Sequence, residues 1–404
     1  MKYVGFLGDG MSDEPVEELG GKTPLMAANT PSMDWIAKNG VSGTVQTLFD
    51  GFPTSSDVAN MGVLGYDVAL YNCGRGPIEA ASQKITLAPD EIAFRCNLIT
   101  EENGILTDYS GGQITQKESV ELIAALQEQF GNDKIRFYPG VSYRNLLILK
   151  GKEFSGNIRY SKPDDEQGTE ITEALLLRPV DDSDESQMNT CQILNELTLA
   201  SRSFLSGHMV NSRRRQEGKR MANMIWLWSP GKKPNMPSFL EKYGKKAAII
   251  SAVDVILGLG ELLGMTTIRV PGATGWIDTN YEGKADACIN ALESHDFVFV
   301  HVEAPDECSH LGDLKNKIIA IEDLDNRLMR RVMDKFKDTV AYSVLPDHPV
   351  PLKLRKHTRN PVPMSMFVPG IQPDSVSRYD EISVLEGSAG KISCLDYLNL
   401  FFSK

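Results

Sequence analysis

The chain has 404 residues, 41% of them hydrophobic and 24% charged, which is enough for two domains or for one core carrying a long insertion. Its 42 Lys and Arg against 54 Asp and Glu leave a net charge of -12, which disfavours broad nucleic-acid or anionic-membrane binding by the long-range field. Any anionic substrate must therefore be met by arginines or metal ions placed locally.

The start, MKYVGFLGDGM, runs into Gly8-Asp9-Gly10 without the apolar stretch of a signal peptide, and no later apolar run is long enough for a bilayer. Residues 3–7 read as a buried strand that delivers Asp9 to a loop, although Asp9 by itself fits an ordinary strand-to-loop turn. Residues 31–38 read as a helix. Ser55 and Ser56 in PTSSDVANMGVLGYD precede an amphipathic segment and, taken alone, read as helix N-caps. A hydroxyl at that place also suits an alkoxide or an attached phosphate, and a neighbouring metal would lower its pKa.

The middle of the chain has another texture, with short alternating runs at 92–100 and 145–150, a helix over 117–130 and polar turns. It reads as a smaller α+β unit, 71–185, inserted into a core made of 1–70 and 186–404. The acidic stretch PVDDSDES at 179–186 is expected to be a linker or surface loop, and Arg213, Arg214 and Arg215 a solvated loop. Strand-like runs then recur at 247–251, 296–302 and 339–345, with helical stretches at 254–263, 284–293 and 314–335. This alternation predicts an α/β core, a mainly parallel sheet with helices on both faces, whose ligands collect outside the carboxyl ends of the strands.

Three of the six histidines lie in one C-terminal stretch beside aspartates: Asp306 and His310 in APDECSH, Asp347 and His348 in VLPDH, and His357 in RKHT. Carboxylate and imidazole at i and i+4 face one ion together, and an adjacent Asp-His pair at a strand end can address two. Two ions about 3.5 to 4 Å apart clamp both oxygens of an in-line phosphoryl displacement. His295 and His301 are assigned a structural or surface role, and Cys308 is read as a small side chain on the ligand helix. The six cysteines form no C-x-x-C pair, as expected of reduced thiols in a cytoplasmic protein.

Over nearly its whole length the chain resembles the cofactor-independent phosphoglycerate mutases of the archaeal type, within the alkaline phosphatase superfamily. The resemblance rests on GDGMSDEPVEELGGKTPLMAANTPSMD, SDVANMGVLGYD, GRGPIEAAS, AFRCNLIT, PGVSYR, PGKKPNMPSFLEKYG, SAVDVILGLGELLGM, VPGATGWIDTNYEGK, HVEAPDECSHLGD and LPDHPVPLKLRKHTRNPVP. It implies an alkaline-phosphatase-like fold and two divalent ions, manganese before magnesium or zinc, with no 2,3-bisphosphoglycerate. One ion is implied at Asp306, His310 and His357, the other at Asp9, Ser56, Asp347 and His348, with Ser56 as the nucleophile that becomes phosphoserine. The phosphate and carboxylate of a small substrate call for planar donors, for which Arg75, Arg95 and Arg144, with Lys284, are the candidates. Asp165 is a candidate general base.

Three positions depart from the archaeal pattern, with Asn60, Asn145 and Asp164 where histidines are common. WLWSPGKKP, LPDHPVP and LEGSAG look closer to a bacterial branch proposed to act as homoserine kinase. A homoserine phosphotransferase, a plain phosphohydrolase and a non-catalytic metal-binding scaffold are the competing functions.

Overall fold

The first strand, Tyr3–Gly8, is buried at every residue, as are Phe297–Val302 and Ala341–Leu345 on either side of it. Unbroken burial is what a parallel sheet covered on both faces requires. The computed structural model, which describes residues 1–403, places these three at the centre of an eight-stranded sheet. Its order is Thr266–Ile268, Ala247–Ile250, Phe297–Val302, Tyr3–Gly8, Ala341–Leu345, Val362–Phe367, Val41–Gln46 and Gly390–Ser393. Only Val362–Phe367 runs against the others.

Side-chain parity shows how the sheet is covered. Val4, Phe6, Val298, Val300, Tyr342 and Val344 share a core with Met33 and Ile36 of helix Pro31–Asn39, Tyr281 and Ala285 of Tyr281–Ala291, and Ala320 and Ile321 of Leu314–Asp323. On the opposite face, Tyr3 meets Phe401 and Phe402 of the last helix, Cys394–Ser403, edge to face. Each such apolar side chain contributes about 1.5 to 3 kcal/mol on burial. The helix expected over 314–335 is broken into Leu314–Asp323, a π-helical turn Leu324–Met329 and Arg330–Phe336.

Two compact units emerge, one made of residues 1–72 and 236 onward, the other of Cys73–Asn235. The second holds a mixed-length antiparallel sheet in which Glu91–Glu102 pairs with Ile105–Asp108, Arg144–Lys150 and Met224–Gly231. Helices Gln116–Phe130 and Glu185–Ser206 cover one face through Leu122, Ile123, Leu126, Leu194 and Leu197, packed on Phe94, Leu147 and Leu227.

This moves the expected end of the insertion from 185 to 235. The reason is the strand Met224–Gly231, which is registered with Leu227 opposite Cys96 and so belongs to the inserted sheet. The acidic stretch 179–186 is the surface loop of the two alternatives and not a linker, since its exposed turn runs straight into a helix. Asp184 caps the helix Glu185–Ser206 by accepting from the amides of Ser186 and Gln187. The arginine run is likewise not a loop: it lies in helix Met209–Gln216, where buried Arg214 pairs with Glu118 at 2.8 Å.

Candidate metal centre

Gly8 is registered with Val302, and Leu7 with Leu345, so three neighbouring parallel strands end together at one rim. Asp9 follows the first, Glu303 and Asp306 the second, and Asp347 with His348 the third. Asp306 and His310 stand one turn apart on helix Ala304–Leu311.

His310 Nε2 lies 3.3 Å from Asp306 Oδ2, and His357 Nε2 lies 3.4 Å from Asp306 Oδ1. The two imidazole Nε2 atoms are 2.9 Å apart. His310 Nδ1 donates to the Arg355 carbonyl at 2.9 Å, which turns its Nε2 toward Asp306 and His357, where a bound cation would take the place of the Nε2 proton. A few ångströms away, His348 Nε2 is 3.2 Å from Ser56 Oγ, 3.3 Å from Asp347 Oδ2 and 3.4 Å from Asp9 Oδ1.

Ser56 opens the helix Ser56–Val63, and Ser55 before it makes no side-chain cap bond, so neither serine is spent on capping. Asn60, one turn along, donates to the Ser56 carbonyl at 2.9 Å and to Asp347 Oδ2 at 2.8 Å. Asp347 Oδ1 also accepts from the amides of Gly10 and His348. Gly10 must be a glycine: its φ is 58° and a Cβ there would meet Asp306 Oδ1 at 2.7 Å.

The electrostatics demand positive charge. Burial, then Asp347, Glu303 and Asp306, push Asp9 well above the usual carboxylate range. Burial and Asp306 raise Glu303, and burial raises Asp347. Buried Asp9 Oδ1, Asp306 Oδ1, Glu303 Oε2, His348 Nδ1 and His357 Nδ1 have no hydrogen-bond partner. Potential ligand atoms gather within 4.8 Å of one another in three sets: Asp306, His348 and His357; Asp9, Asp347 and His348; and Asp9, His301 and Glu303. The residues present therefore fit divalent cations, with oxygen and imidazole donors of mixed type.

Other expected site residues fall elsewhere. Lys284 is neither a surface cover nor an open anion donor: it is fully buried, its Nζ donates to the His301 carbonyl at 3.0 Å, and burial pulls its pKa down to about 8. Arg95, in the second unit, is also enclosed. Its guanidinium pairs with Glu79, reaches Asn97 Oδ1 at 3.3 Å and lies 4.7 Å from the Trp228 ring centroid. Burial lowers its pKa to about 10, opposed by Glu79 and reinforced by Arg75 and Arg144. Arg75, at the start of helix Arg75–Ser82, stands 3.2 Å from Glu79, while Arg144 is exposed over Tyr143. Asp165 sits in an exposed turn.

Asn145 is buried and fully occupied, accepting from Ser119 Oγ and the Gly140 amide and donating to the Tyr143 carbonyl, so it ties a hairpin together. His295 is structural, held between the Ala291 carbonyl and Thr266 Oγ1, and Cys308 is a buried small side chain. His301 and Glu303 are the residues the sequence reading missed. The available signal was their spacing of two at a strand end, which puts both side chains on one face beside Asp9.

A family model described as 2,3-bisphosphoglycerate-independent phosphoglycerate mutase matches residues 37–211. A relative of that name from Methanosarcina acetivorans is 46% identical over 404 residues, covering 99% of each chain. One from Geobacter sulfurreducens, named a probable enzyme of the same kind, is 46% identical over 390 residues and 95% of each chain. Among solved structures, the cofactor-independent phosphoglycerate mutase of Thermoplasma acidophilum aligns with a TM-score of 0.70 at 30% identity, covering 100% of this chain and 99% of that one.

Proposed function

The chain belongs to the 2,3-bisphosphoglycerate-independent phosphoglycerate mutase family, and we propose that it interconverts 3-phosphoglycerate and 2-phosphoglycerate through a phosphoserine at Ser56. The observation that carries this reading is the convergence of Ser56 Oγ, Asp9, Asp347 and His348 around one imidazole nitrogen, beside the second cluster of Asp306, His310 and His357.

In this reading Asp306, His310 and His357 hold one divalent ion, and Asp9, Ser56, Asp347 and His348 the other; mixed oxygen and imidazole donors suit manganese or zinc, and the family resemblance favours manganese. When bound, the ions neutralise charge on the transferring phosphoryl group and ease deprotonation of the serine hydroxyl. Ser56 Oγ attacks phosphorus, its bond to phosphorus forms as the bond to the 3-oxygen breaks, and the released 3-oxygen takes up a proton. The glycerate 2-oxygen then bonds to phosphorus as the Ser56 Oγ–phosphorus bond breaks, and the 2-hydroxyl proton passes to the released Ser56 Oγ, replacing the one the serine gave up in the first transfer. Because the phosphoryl group is parked on the protein, no 2,3-bisphosphoglycerate is needed.

Asn60 keeps the serine helix and Asp347 in register for both transfers. Arg75 and Arg144 are the donors assigned to the substrate anion, Arg95 and Lys284 being occupied by Glu79 and by the His301 carbonyl, and Asp165 is retained as the candidate base. The inserted unit is thus read as the substrate-binding domain. Among the described residues no helix is long and apolar enough to cross a membrane, and the six unpaired cysteines suit the cytoplasm.

A coupled assay of the manganese-loaded chain tests the proposal. Turnover of 3-phosphoglycerate without added 2,3-bisphosphoglycerate is the expected result. Phosphorylation of homoserine without turnover of phosphoglycerate, or release of inorganic phosphate faster than isomerisation, would overturn it.

A further inference from the structure

We propose that His301 is a positioning residue for Asp9, presenting one chosen oxygen of that carboxylate to the ion at the Ser56 site; the inference rests on the metal-centre reading above. His301 lies on the strand Phe297–Val302, is fully buried, and directs Nε2 at Asp9 Oδ2 at 2.9 Å. The other oxygen, Asp9 Oδ1, has no hydrogen-bond partner and stands 3.4 Å from His348 Nε2. The two oxygens of Asp9 therefore have separate tasks, one fixed by the protein and one left for the cation.

The polarity of the contact follows from the chain of bonds behind it. The Val253 amide donates to Ser251 Oγ at 3.0 Å, so the Ser251 hydroxyl has its own proton to give to His301 Nδ1 at 3.2 Å. A neutral imidazole that accepts at Nδ1 carries its proton on Nε2, and that proton is donated to Asp9 Oδ2. The main chain is held as firmly. Lys284 Nζ donates to the His301 carbonyl at 3.0 Å, and the Asp9 amide donates to the Val302 carbonyl at 2.9 Å. Glu303 Oε2 lies 3.7 Å from His301 Nε2, too far to accept its proton, so Asp9 Oδ2 is the partner of that nitrogen. Ser251, His301 and Asp9 thus form one line from a strand end to the metal centre, and outer partners of this kind typically change metal affinity about 10- to 100-fold.

The experiment is a calorimetric titration of the metal-stripped chain with Mn2+ alone, on the parent and on His301→Leu, His301→Gln and Ser251→Ala. The parent takes two ions. His301→Leu is expected to weaken one of the two binding steps about 10- to 100-fold and to leave the other unchanged, since Asp306, His310 and His357 do not depend on Asp9. His301→Gln, whose amide nitrogen reaches the place of Nε2, restores most of the lost affinity, and Ser251→Ala weakens the same step by a smaller factor.

Equal binding of two ions by the parent and by both His301→Leu and Ser251→Ala overturns this inference alone. A parent that binds three ions where His301→Leu binds two also overturns it, by making His301 a ligand in its own right. A parent that binds no Mn2+ overturns the metal-centre reading and this inference together. If His301→Leu fails to fold, Ser251→Ala carries the test, and unchanged affinities in that variant overturn the proposal.

Discussion

Lys317 and Asp13 form an ion pair of 2.7 Å with both side chains almost wholly out of solvent, at 0% and 2% exposure. The same ammonium donates to the Val350 carbonyl at 3.0 Å, and the Asp13 carboxylate accepts from the Leu352 amide. The pair therefore binds the loop that follows Asp9 to the loop that follows His348. Lys317→Met strands a buried carboxylate and is expected to cost about 3 to 5 kcal/mol. Urea denaturation measures it, and a double variant, Lys317→Met with Asp13→Leu, should recover part of the loss. A single variant as stable as the parent would show that the pair does not hold these loops.

Ser56→Ala should leave the fold and metal uptake of the Asp306 cluster intact while lowering mutase kcat by at least about 1000-fold, since the group that carries the phosphoryl is gone. Mass spectrometry of the acid-quenched parent should find phosphate on Ser56. Finding it on another residue, or retaining activity in the variant, would move the nucleophile elsewhere.

Chelation should abolish activity and lower stability together. Four buried carboxylates, Asp9, Glu303, Asp306 and Asp347, repel one another when no cation is present. An ion held at 100 times its dissociation constant stabilises the chain by about 2.7 kcal/mol. Thermal unfolding with and without Mn2+ reads this directly, and an unchanged Tm would mean that no cation relieves the cluster.

Asp325 offers a pH test away from the metals. It accepts from the amides of Ser32 and Met33, and burial raises its pKa to about 6. In the unfolded chain it ionises near 4, so between about pH 4 and 6 the folded state holds a proton that the unfolded state has lost. Stability from this group is therefore present at the acid end of that window and falls as pH rises through it. Relative to Asp325→Asn, which does not titrate, the parent should lose about 2 to 3 kcal/mol across the window. Parallel stability curves for the two proteins would contradict the shift.

Arg95 and Arg144 should separate stability from substrate binding. Arg95 is 2% exposed and holds Glu79, Asn97 and Trp228, so Arg95→Met should destabilise the second unit by about 3 kcal/mol. Arg144 is exposed, and Arg144→Ala should raise KM for phosphoglycerate by roughly 10-fold or more with little change in unfolding. The reverse pattern would exchange their roles.

Much of this protein was legible in the chain because the relevant signals are local. A carboxylate and an imidazole four apart and an Asp-His pair after a strand each constrain a few consecutive residues, and so mark Asp306, His310, Asp347 and His348 as ligand candidates, whereas Asp9 alone reads as an ordinary turn and becomes a candidate only through the family resemblance. What the chain could not show was which side chains would meet across long separations. Asp325 binds the Ser32 and Met33 amides at the start of Pro31–Asn39 where Thr30 makes no side-chain cap bond, Met224–Gly231 joins the inserted sheet from far beyond the expected boundary, and Arg95 spends its charge on Glu79. His301 is the sharpest case. Its spacing of two from Glu303 is the one local signal it carries, and only the parallel register of Leu7 with His301 brings its ring to Asp9. Periodicity and ligand spacing are properties of the covalent chain, whereas burial and partner choice arise only when strands distant in sequence become neighbours in space.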